Sequence, residues 1–188
     1  MTTPDPEPIM TPGHVLRDAV TLIELKGYNK DLPRGFRPDK GLTVVGAVRL
    51  AAGQNAIGDE PHNELAMSAL RCLAMGLRYV SRDFWDDNNN GMLPADFVPH
   101  IANWSRGLTP EHVAEALNLA ARHDDERRAR EDAMLAKEIK HLDSMSLEDL
   151  RAELAGSAPR PNDTEWDIRY REVLTAKLAE RERSQDPA

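Results

Sequence analysis

The sequence is poor in cysteine and aromatic residues, and it has no long apolar run. With Cys72 as its one cysteine, a chain cannot form an internal disulfide or a cysteine-based zinc site, which favours a reducing compartment. No apolar run approaches the roughly 20 residues that a membrane span needs. Residues 1–10 also lack the basic start and the apolar segment of a signal peptide. We therefore expect a cytoplasmic protein that does not bind membranes.

Positive charge is also scarce, because 24 basic residues are outnumbered by 32 acidic ones and the net charge is −8. The phosphate backbone of nucleic acids attracts positive surfaces, so this balance disfavours a general nucleic-acid-binding protein.

One stretch, residues 26–40, departs from this balance with five basic and two acidic side chains. Lys30, Arg34 and Arg37 are its candidate phosphate-binding residues, and the rings of Tyr28 and Phe36 are candidates for stacking on a base. No glycine-rich phosphate cradle follows a clear strand here. The alternative is a surface loop whose charges balance an acidic body.

Helical periodicity is what the sequence has in abundance. Thr11 and Pro12 have the chemistry of a helix start, and further helical segments follow. We predict an all-α fold in which a compact bundle of four or five helices covers residues 11–122. Residues 1–10 contain three prolines and no periodic apolar pattern, so they are predicted to be a disordered tail.

The segment 83–103 is predicted to be a loop because asparagines and a glycine interrupt the apolar pattern. Asp86, Asn88 and Asn90 are followed by a glycine, as in the first half of a calcium loop, and they are candidate metal ligands. The second half does not match, since Phe97 occupies the position of the bidentate glutamate. A weak calcium site or a metal-assisted enzyme is one alternative, and a solvated turn is the other.

Charge dominates the last third of the chain, where nine of the eleven residues from 122 to 132 are charged. Neither proline nor glycine interrupts this run, so residues 110–142 form either one helix or two. Asp124 and Asp125 are interpreted as solvated, which disfavours acid–base chemistry there. We predict that residues 123–188 form a charged helix and a C-terminal helical hairpin.

The hairpin contains the candidate interaction residues, because Trp166, Tyr170, Val173 and Leu174 recur at helical intervals. A short hairpin cannot bury such a face alone, and an apolar face of this kind usually meets the main body or another chain. We expect binding to a protein partner, or self-association, through the C-terminal helices.

The stretch 103–113 combines a tryptophan, a glycine turn and a Thr-Pro helix start. Together with the opening Val-Leu-x-x-Ala-x-x-Leu-Ile-Glu helix and the small-residue segment 46–52, it resembles an uncharacterised family of small helical proteins from actinobacteria and their bacteriophages. The resemblance covers residues 11–122 and rests on packing and capping residues, so it implies a fold and no mechanism. Members often have Asn-Asp after the tryptophan, where this chain has Ser105-Arg106.

No catalytic constellation is visible in the sequence. The histidines do not cluster, and both the Gly-x-Ser-x-Gly and the His-Glu-x-x-His motifs are absent. Cys72 is interpreted as a small buried side chain, and Trp104 as a packing residue. We expect a non-enzymatic helical interaction or regulatory protein without a cofactor, phage-encoded and acting on a host protein. The alternative is a nucleic-acid-binding regulator that uses residues 26–40.

Overall fold

The structure is a computed structural model that describes residues 10–30, 36–37, 41–57, 60–80, 94–160 and 164–185. Within these ranges the chain forms seven helices and one antiparallel pair of short strands, so the fold is all-α as predicted. The helices are α1 (Pro12–Lys26), α2 (Val44–Ala51), α3 (Glu64–Val80), α4 (Pro94–Ser105), α5 (Pro110–Ser144), α6 (Leu147–Gly156) and α7 (Glu165–Gln185), and the strands are β1 (Phe36–Arg37) and β2 (Gly41–Leu42). The predicted disordered tail lies outside the described residues except for Met10.

Contacts divide the chain into two compact units, residues 1–126 and residues 127–188. Helix α5 contributes its first part to the first unit and its last part to the second. The question of one helix or two over residues 110–142 is answered by α5, which is continuous through the charged run. No described helix is both long enough and apolar enough to cross a membrane.

Two helices begin with the same Thr-Pro-x-His chemistry. The Thr11 hydroxyl accepts a hydrogen bond from the backbone N–H of His14 at 3.2 Å, and the His14 ring accepts one from the Thr11 N–H in return. At the start of α5, the Thr109 hydroxyl accepts from the N–H of His112 at 3.5 Å. In both helices proline holds the first position, where the missing N–H has no helical partner to lose.

The loop predicted over residues 83–103 is wrong from residue 94 onward, where α4 begins. Residues 81–93 lie outside the described part of the chain. Pro99 inside α4 costs roughly 3 kcal/mol of helix stability. Phe97 and Ile101 offset this cost, because they are 5% and 0% exposed and full burial of such side chains is worth about 1.5–3 kcal/mol each.

The first unit packs its five helices around one apolar cluster. Leu70, Leu73, Leu77, Leu16 and Leu117 are among its fully buried side chains. Helices α3 and α5 approach closely, since a Cβ added at Gly76 would lie 3.0 Å from the Cβ of Ala120. Trp104, at the end of α4, packs partly buried against the cluster, as predicted.

The chain leaves α1 through a glycine contact that positions β2. Gly27 and Gly41 both have positive φ, and a Cβ on Gly41 would collide with the Gly27 carbonyl. This approach lets the Leu42 N–H donate to the Gly27 carbonyl at 2.8 Å, while the Asn29 N–H donates to the Leu42 carbonyl at 2.8 Å. Only glycine combines this backbone conformation with so close an approach.

Candidate interaction surface

The second unit has a very small core, and three of the four predicted interaction residues belong to it. Leu174 of α7 is buried with Leu142 of α5 and Leu150 of α6. Tyr170 and Val173 pack, partly buried, against the same three leucines. The apolar face found in the sequence therefore lies largely inside the unit. The exposed fraction of Leu174 is 0%, so within this chain its contacts are with the unit's own core.

Both short connections in this unit end in a hydroxyl cap that starts the next helix. The Ser146 hydroxyl accepts from the Asp149 N–H at 3.1 Å at the start of α6. The Thr164 hydroxyl accepts from the Asp167 N–H at 3.2 Å at the start of α7. The Thr164 hydroxyl and N–H also donate to the Asp167 carboxylate, which lowers the pKa of Asp167. These caps fix where α6 and α7 begin.

Trp166 and Tyr170 form a stacked pair on α7, with ring centroids 5.1 Å apart and planes inclined by 6°. The Tyr170 hydroxyl donates to the Glu153 carboxylate at 3.2 Å. Burial, together with the negative charges of Glu153 and Glu138 and this hydrogen bond, raises the pKa of Tyr170 to about 12. The Nε1–H of Trp166 is buried without an acceptor among the described residues. Of the two rings, that of Tyr170 packs against the unit's core.

Ion pairs tie α7 to the other two helices of the unit. They join Arg169 to Asp132 at 2.7 Å, Lys177 to Asp143 at 2.8 Å, and Arg151 to Glu182 at 2.6 Å. The hydrogen bond from Lys177 to Asp143 is the main cause that raises the pKa of Lys177. Because most of these side chains are substantially exposed, the pairs add specificity to the packing and little stability.

The outer face of α7, which points away from these contacts, is exposed and rich in small or apolar side chains. It forms a shallow groove of about 480 Å³ lined by Ile168, Arg171, Glu172, Thr175, Ala176 and Ala179. Ile168 is 47% exposed. Residues 168, 172, 175 and 179 are separated by four, three and four positions, the spacing with which one helix packs along another.

The predicted phosphate-binding residues are only partly described. Lys30 is exposed and lies in a cleft of about 500 Å³ between residues 28–30 and 107–110. Arg37 belongs to β1, where its backbone pairs with Gly41, and nothing is described of its side chain. Arg34 lies outside the described residues.

Of the two predicted stacking residues, Phe36 belongs to β1 and nothing is described of its side chain. Tyr28 is partly buried against the first unit's core. Its hydroxyl donates to the Ser105 carbonyl at 2.5 Å, and burial raises its pKa. The side chain therefore links the residues that follow α1 to the end of α4. A base that stacked on it would have to approach from the cleft side.

The predicted metal ligands Asp86, Asn88 and Asn90 all lie outside the described residues. In the part of the chain that is described, no group of three or more His, Cys, Asp or Glu side chains is placed to hold a metal ion.

A buried carboxylate was missed in the sequence. Asp124, interpreted above as solvated, is 2% exposed and accepts a hydrogen bond from the Gly13 N–H at 3.1 Å and one from the Cys72 thiol at 3.5 Å. Its place on the helix explains the error, since Asp124 follows Ala120 and Ala121 at intervals of four and three on the buried stripe of α5. That spacing was the available signal. Its neighbour Asp125 is exposed and pairs with Arg17.

Residues 7–123 match a protein family described as a family of unknown function (DUF6197). The comparisons with curated proteins and with solved structures gave no match. The matched residues end before the second unit begins, so the outer face of α7 lies outside the matched region.

Proposed function

The chain belongs to the DUF6197 family of unknown function through residues 7–123, and we propose that it is a non-enzymatic helical interaction protein that binds another protein through the outer face of α7. The observation that carries the proposal is the exposed groove on that face. Ile168 remains 47% exposed there, and covering a side chain of this size is worth up to about 1.5–3 kcal/mol.

The shape of the groove favours a protein over a small molecule. Small-molecule sites are concave and enclose most of their ligand. This groove is shallow and its described lining comes from α7 alone, so it does not enclose a small ligand. A partner helix can cover it along its length, and the charges of Arg171 and Glu172 in its lining favour a partner with complementary charges.

The proposal extends to the setting in which the protein works. The resemblance of residues 11–122 to actinobacterial and actinobacteriophage proteins supports a source in that group, with a phage-encoded chain acting on a host protein. The single cysteine, Cys72, supports a reducing compartment, and we propose the cytoplasm.

Affinity capture with the full-length tagged chain tests the proposal when three variants are compared in one lysate. The wild type is compared with Ala179→Glu, which places a charge in the groove, and with Ala155→Glu, which makes the same change at an exposed alanine of α6. We expect a stoichiometric protein partner that the wild type and Ala155→Glu retain and that Ala179→Glu loses. Circular dichroism should show equal helicity for all three. Equal retention by both variants, or no retained protein at all, would reject the proposal.

Nucleic-acid binding through residues 26–40 is the second candidate, and the exposed Lys30 at the 500 Å³ cleft supports it. Lys30→Gln should then weaken binding to DNA or RNA and reduce the dependence of affinity on salt. Lys140→Gln, at an exposed position of α5, is the matched control. If the wild type retains no nucleic acid at low salt, this candidate is excluded.

A further inference from the structure

We draw no further inference here: the strongest candidate, the cleft of about 500 Å³ between residues 28–30 and 107–110 of the first unit, belongs to the nucleic-acid surface already proposed, and its described lining offers the exposed Lys30 beside a helix start capped by Thr109 with nothing that points to a further ligand.

Discussion

The two units of this chain bury apolar side chains on very different scales. The first unit packs five helices around one continuous cluster that includes Leu73, Leu117 and Ile101. The second packs three helix segments around Leu142, Leu150 and Leu174. Hydroxyl caps and largely exposed ion pairs set where its helices begin and how they join one another. A unit of about 60 residues is marginal even with a normal core. The second unit therefore has the most stability to gain from the proposed contact through the outer face of α7.

The largest expected effect comes from emptying each core by one leucine. Leu117→Ala and Leu174→Ala each cost about 2–5 kcal/mol. Because the second unit has little stability to lose, we expect Leu174→Ala to unfold α6 and α7 in the full chain while the first unit stays folded. Leu117→Ala should lower the stability of the first unit without unfolding it. Hydrogen exchange resolved by peptide measures both, and continued protection of α7 in Leu174→Ala would contradict the comparison.

The first unit has a buried polar contact at Asp124, and the second has an exposed ion pair at Asp132. Two aspartate variants measure how much each contact contributes to the free energy of unfolding. Asp124→Ala leaves the buried Gly13 N–H without this acceptor, at an expected cost of about 1–3 kcal/mol. Asp132→Ala removes the exposed pair with Arg169, which should cost less than about 1 kcal/mol. Chemical denaturation of the full chain gives both values. Equal losses of stability in the two variants would contradict this difference between the buried and the exposed contact.

Packing tightness can be compared at one glycine in each unit. A Cβ on Gly13 would lie 2.9 Å from the Asp125 carboxylate and 3.3 Å from the Ala121 carbonyl, whereas one on Gly156 meets nothing within 4 Å. Gly13→Ala should therefore destabilise the chain by about 1–2 kcal/mol. Gly156→Ala should be neutral or stabilise it by up to about 1 kcal/mol. Thermal unfolding of both variants checks this, and a destabilising Gly156→Ala would be inconsistent with open space there.

The smallest expected effect is a loss of stability of the second unit at alkaline pH. The pKa of Tyr170 is raised to about 12, so the folded unit favours the protonated hydroxyl. Its stabilising contribution is fully present below the unfolded pKa of about 10 and is lost as the pH rises toward the folded value. Tyr170→Phe should slightly reduce the exchange protection of α6 and α7 at neutral pH. It should also remove the part of the loss of protection at alkaline pH that comes from ionisation of the Tyr170 hydroxyl. An unchanged alkaline profile in Tyr170→Phe would contradict the assignment.

Local chemistry made much of the first unit predictable. The Thr-Pro starts of α1 and α5 and the all-α class followed from capping residues and apolar periodicity. Helix α4 was missed because asparagines and a glycine suggested a loop, and the burial of Phe97 and Ile101 depends on distant helices. Asp124 was missed because charge was given more weight than its position on the buried stripe of α5.

The proposed interaction surface was harder to predict from the sequence for a physical reason. Apolar periodicity identifies which side of a helix is buried, and it correctly marked Tyr170, Val173 and Leu174 as one face. It does not tell whether that face meets the same chain or another one. Once the structure assigns Leu174 to the unit's own core, the exposed surface is the opposite one. There, small residues such as Ala176 and Ala179 give almost no apolar signal in the sequence.

The most direct test of the account is hydrogen exchange of the full-length wild type, which compares the protection of the two units. A unit with few buried apolar contacts opens at a lower free energy, and its amides exchange faster. We predict that the amides of α6 and α7 exchange faster than those of α1 and α3, because the second unit has the much smaller core. Protection of α6 and α7 equal to that of α1 and α3 would contradict the account.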